Sequence, residues 1–183
     1  SVSITESPAS VWAGESTRLT ATATAYEDAT IAGVRWNFSN ESLTETGTTV
    51  THPLVGENEA VTVTTTATDT KGRQSSASVT VQVKTLYAPA TTARKIHVRT
   101  VIYDRDAWLV TWVPDARNAA AGYQVTEYWV YRIDAGGHAT RIARVAAGAT
   151  LRYLDLGTFS ATDHFAVVAV DSEGHTSPRP AGS

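Results

Sequence analysis

From Ser1 to about Lys84 the chain alternates small apolar side chains with hydroxylated ones. Leu19, Ala21, Ala23 and Ala25 fall on one face and threonines on the other, which is the pattern of a half-buried strand. The same reading predicts strands at Val34, Trp36 and Phe38, at Val61 to Ala67, and at Val79, Val81 and Val83. Turn signals separate them at Ala13-Gly14-Glu15, Val55-Gly56-Glu57-Asn58 and Asp69-Thr70-Lys71-Gly72. From about Ala90 the pattern resumes with larger side chains: Trp108, Val110 and Trp112, then Tyr128 and Val130, then Phe165, Val167 and Ala169. Short strands at this spacing predict an all-β fold of antiparallel sandwiches. Between the two stretches, Leu86-Tyr87-Ala88-Pro89-Ala90-Thr91-Thr92 brings a proline, which cannot donate to a central ladder. The expected organisation is two tandem sandwiches, residues 1–86 and 87–183.

Composition supports strands and narrows the chemistry. Threonine makes up roughly one residue in six, and β-branched side chains favour strands. At 42% hydrophobic and 18% charged residues the chain can bury a core, and no apolar run reaches the roughly 18 residues that span a bilayer. The net charge is -3, divided as 5 basic and 9 acidic side chains in residues 1–86 and 10 and 9 in 87–183. Neither half is a basic field for nucleic acid or anionic lipid, so neither partner is expected. The absence of cysteine excludes disulfides, thiolate nucleophiles and thiolate metal sites. The chain opens Ser1-Val2-Ser3-Ile4 without methionine; a cleaved signal peptide and a trimmed initiator both account for that start.

A nucleophile needs an oriented base within hydrogen-bond reach, and no Gly-x-Ser-x-Gly elbow occurs. His52, His97, His138, His164 and His175 are scattered, without the three- or four-residue spacing of a metal-binding helix. The acidic residues Glu27, Asp28, Asp69, Asp104, Asp106, Asp171 and Glu173 could supply oxygens to calcium, but the same residues serve any tight turn, and turn chemistry is the expectation. His52, beside Pro53, reads as a turn or edge residue bonded to backbone. The expectation is a non-catalytic protein without a cofactor. Its candidate contact residues are Trp129 and Tyr131. If Tyr128 and Val130 point inward, these two rings point out and offer a stacking platform for a sugar or an anchor for a protein partner. The competing reading has them covered by neighbouring strands or by an arginine such as Arg141 or Arg144.

Several stretches resemble known families. Trp108-Leu109-Val110-Thr111-Trp112-Val113-Pro114, Tyr128-Trp129-Val130-Tyr131-Arg132, and Phe165-Ala166-Val167-Val168-Ala169-Val170-Asp171-Ser172-Glu173-Gly174 followed by Ser177-Pro178 are similar to bacterial fibronectin type III domains. Trp112 would be the buried core tryptophan, and Asp163 stands where the family has its corner tyrosine. Trp36-Asn37-Phe38, Val50-Thr51-His52-Pro53-Leu54 and Ala67-Thr68-Asp69-Thr70-Lys71-Gly72 resemble a PKD or related bacterial immunoglobulin-like domain, without its Gly-Asp-Gly turn. The resemblance implies two immunoglobulin-like sandwiches and a structural or adhesive role with protein partners or surface glycans. The setting would be a bacterial surface or secreted protein, or a bacteriophage particle. The alternative is a carbohydrate-binding accessory module of a secreted enzyme.

Overall fold

The computed structural model describes residues 1–157 and 160–181. Two compact units divide the chain, Ser1–Thr85 and Leu86–Ser183, and both are immunoglobulin-like β-sandwiches.

In the first unit, β1 (Val2–Glu6), β3 (Ser16–Ala23) and β6 (Thr49–Pro53) form one sheet. The other runs β2-β8-β7-β4-β5, built from Ser10–Trp12, Gln74–Lys84, Ala60–Asp69, Ile31–Phe38 and Thr44–Thr46. Neighbours are antiparallel except β2 and β8, which pair in parallel from Ser10 opposite Gln82 to Trp12 opposite Lys84. The predicted alternation is realised. Leu19, Ala21, Trp36, Phe38, Val61, Val63, Val81 and Val83 fill one interior, while Thr64 and Thr66 on the outer face exchange hydroxyl hydrogen bonds with Ser78 and Ser76 at 2.9 and 2.8 Å. Trp36 is fully buried, and its indole N–H donates to the Gly47 carbonyl at 2.8 Å.

The second unit packs a β9-β10-β13 sheet (Ala90–Arg99, Asp104–Val113, Arg152–Asp155) with a β12-β11-β14 sheet (Ala139–Ala146, Val125–Ile133, His164–Asp171). Val110, Trp112, Tyr128, Val130, Val167 and Ala169 are buried, and Trp112 packs on Tyr128 with ring centroids 5.7 Å apart. A short helix, α1 (Ala116–Ala120), was not legible in the sequence; Asp115 caps it by accepting from the Arg117 amide. At the expected corner-tyrosine position, Asp163 is buried and accepts instead from the Ser160 amide at 3.0 Å.

The expected linker is shorter than its composition suggested, because β9 begins at Ala90. Its ends are tied by asparagines. Asn58 accepts from the Thr85 amide at 3.0 Å and donates to its hydroxyl at 2.9 Å. Asn118 accepts from the Tyr87 amide at 2.7 Å and donates to its carbonyl at 2.9 Å.

Three turns share one construction. Asp69, Asp134 and Asp171 each accept, through a carboxylate oxygen, the backbone amides two and four residues ahead, at 2.8 to 3.0 Å. The residue three ahead is a glycine, Gly72, Gly137 or Gly174, with φ of 79°, 81° and 90°, a region costly for residues with a Cβ. The residue four ahead, Arg73, His138 or His175, pairs its side chain with the same aspartate.

Replacing Trp36 by phenylalanine keeps most of the buried ring and strands the Gly47 carbonyl. Urea denaturation should show a loss of about 1–3 kcal/mol, from the lost hydrogen bond and the space left in the core by the smaller ring.

Candidate functional site

The outer face of the β12-β11-β14 sheet carries the two candidate aromatic residues. Both leave the core on the side opposite Tyr128 and Val130, but neither forms an open platform. Tyr131 is only 5% exposed and packs with Val168 and Val170 into a second apolar cluster, against which Trp129 and Ala139 lie. Of the two readings, the covered one describes Tyr131. The signal was present in the sequence: Phe165-Ala166-Val167-Val168-Ala169-Val170 has no polar alternate positions, and a continuous apolar strand is buried on both faces.

Trp129 is half-buried, and three guanidinium groups, from Arg141, Arg144 and Arg179, sit 4.6, 5.3 and 5.1 Å from its ring centroid. Its indole N–H donates to Glu127 at 2.6 Å. Two of the arginines reach the ring because of a bulge. Val130 pairs with Ala143 but Tyr131 with Arg141, so Ile142 is an extra residue in β12. Strict alternation would put Arg141 and Arg144 on opposite faces; one inserted residue puts both on the side of Trp129. The covering reading thus describes Trp129, and guanidiniums over its ring occupy surface that a sugar would need for stacking.

His52 is the second concentration of polar chemistry. The sequence suggested a turn or edge residue bonded to backbone. In the structure it is buried inside the first sandwich, its ring stacked on Phe38 at 4.1 Å with an 18° interplanar angle. Nδ1 lies 2.7 Å from a Glu45 carboxylate oxygen and Nε2 lies 3.1 Å from one of Glu41. Carboxylates only accept, so both bonds form together only when both ring nitrogens carry protons. Burial lowers the pKa of this histidine, but the hydrogen bonds and charges of Glu41 and Glu45 outweigh it and hold the value above the ordinary 6.5. The separations from His52, 11 and 7 residues, carry no motif and meet only through the fold.

His97 repeats the bracket on the surface, with Nδ1 3.0 Å from Asp106 and Nε2 2.8 Å from Asp104; these hydrogen bonds raise its pKa. Asp69, Asp134 and Asp171 are engaged by turn amides, as turn chemistry requires. No group of three or more metal-ligating side chains is placed to hold an ion among the described residues.

No protein-family model matches the chain, and no curated protein matches it. Among solved structures, the fibronectin(III)-like modules of Clostridium thermocellum CbhA are similar over 46% of this chain and 97% of theirs, at 22% identity and a TM-score of 0.39. A structure of carbohydrate-binding modules from the β-sandwich superfamily is similar over 91% of this chain and 82% of that one, at 16% identity and a TM-score of 0.42. Three N-terminal domains of the bacteriophage RB49 highly immunogenic outer capsid protein are similar over 96% of this chain and 55% of that one, at 15% identity and a TM-score of 0.34. At these identities the likeness is one of fold.

The His52 bracket has a signed pH dependence. A folded-state pKa above the unfolded value of 6.5 gives a contribution fully present below that value and lost as pH rises through the raised one. His52→Gln should therefore be less stable than the native chain at about pH 6, and the gap should narrow toward about pH 9. Urea midpoints of the two proteins across that range check this; a gap that is constant or widens with pH contradicts it.

Proposed function

We infer that the chain is a non-catalytic module that spaces or displays partners in an extracellular or particle-surface assembly. Its first unit is a PKD or related immunoglobulin-like domain and its second a fibronectin type III-like domain. The observation that carries this reading is where the apolar side chains go. Both units spend their alternating positions on closed interiors, and the second spends its outward aromatic residues on a covered cluster. What remains for contact is polar surface, strand edge and scattered exposed apolar side chains, among them Val101, Ile102 and Val113.

One edge suits a protein partner. β14 is the terminal strand of its sheet. On its outer side the described residues supply the Val170–Thr176 bridge and the Ser177 amide donating to the Ala169 carbonyl at 3.0 Å. Both lie at the end of the strand, so its start, from His164 to Ala166, which keeps some exposure, offers backbone groups to an added strand. A bacterial surface or secreted protein and a bacteriophage tail or head decoration both provide such partners.

The expected outcome is that the chain self-associates with rising concentration in light scattering, or that antibodies against it decorate a repeated position on the surface or particle of its source. A monodisperse monomer that labels neither would overturn the reading.

A further inference from the structure

A groove of about 700 Å³ lies on the outer face of the first unit's larger sheet, a volume in the range of small-molecule sites. Its floor is β4 near Gly33. Ile31 pairs with Asp69 but Gly33 with Thr68, so Ala32 is an extra residue and the strand bulges there. Gly33 is not explained by backbone geometry or crowding: its φ lies outside the left-handed region, and a Cβ built on it meets nothing within 4 Å. A glycine inside a strand weakens it, and such a residue commonly marks a place where another group approaches the backbone closely.

The rim is held from beneath. The Gly47 amide donates to the Val34 carbonyl at 2.9 Å, and the Gly47 carbonyl accepts from the buried Trp36 indole at 2.8 Å. The groove is therefore formed before anything enters it.

Its lining combines hydroxyl and amide side chains, including Thr46, Thr66, Asn37 and Gln74, with the apolar Ile31 and Val34, and contains no aromatic ring. Arg35 is the one charged residue in that lining. Its guanidinium has no ion-pair partner among the described residues, although the unit around it carries nine acidic side chains. A guanidinium binds a carboxylate through two parallel hydrogen bonds, and flanking hydroxyls and amides match a polyol.

We propose that this groove binds an acidic sugar, a saccharide unit bearing a carboxylate, with Arg35 on the carboxylate and the threonine and amide side chains on the hydroxyls. The site stands independently of the assembly role, since it uses a different unit and a different face.

The test is a titration of the full chain, followed by backbone amide NMR shifts, with oligogalacturonate and with sialyllactose. Neutral galacto-oligosaccharide and lactose serve as matched controls, and a glutamate-rich peptide as a competing anion. The expected result is that at least one acidic saccharide shifts the amides of Gly33, Arg35 and Thr66, and binds at least about tenfold more tightly than its neutral counterpart. Arg35→Gln, which removes only an exposed charge, should weaken binding about tenfold or more. Gly33→Val puts a side chain on the groove floor, where a Cβ meets nothing within 4 Å, and should weaken the shifts while the thermal midpoint holds. Three results would each overturn the proposal: no groove shifts with either acidic saccharide, equal binding of acidic and neutral sugars, or tighter binding of the peptide than of both saccharides.

Discussion

Strand register is the constraint on which the rest of this molecule depends. Side chains alternate with a period of two, so a slip of one residue would exchange core and surface along a whole strand. The three Asp-x-x-Gly turns resist such slips. In each, one carboxylate oxygen holds the amides two and four residues ahead, glycine supplies the left-handed backbone, and a basic side chain closes over the aspartate. The first of these turns joins β7 to β8 and the second joins β11 to β12, the central hairpins of the two units. Their residues are what put Val61 and Val63, or Tyr128 and Val130, indoors.

Departures from that register are where the surface acquires character. The extra residue Ile142 brings Arg141 and Arg144 to one side of Trp129, so that the ring is capped by guanidiniums. The extra residue Ala32 opens β4 beside Gly33 and leaves Arg35 facing unfilled space. A bulge costs a ladder pairing, yet it is the only local way to re-aim a side chain without turning over its neighbours.

Legibility in the sequence follows from the same division. Regular alternation is a property of consecutive residues, so Leu19 to Ala21, Val34 to Phe38 and Trp108 to Trp112 could be read directly. The covered state of Tyr131 was encoded elsewhere, in the unbroken apolar run of β14. The bracket around His52 joins Glu41 from the segment before β5, Glu45 in β5 and His52 in β6, and since β5 and β6 belong to different sheets, their convergence depends on the packing of the sandwich, which no spacing rule expresses. The groove is less legible still. It is defined by a missing side chain at Gly33 and by hydroxyls from strands far apart in the chain, residues whose ordinary meaning is solvent-facing sheet.

The parallel pairing of β2 with β8 has a mechanical consequence. Tension entering through β2 and leaving through β8 runs along the two strands in opposite senses. The backbone hydrogen bonds between Ser10–Trp12 and Gln82–Lys84, together with the Ala13 amide on the Lys84 carbonyl at 2.9 Å, then bear the load in shear and share it. They do not open one at a time like a zip. A domain wired in this way yields late under stretching, a property suited to a link in a chain that is pulled.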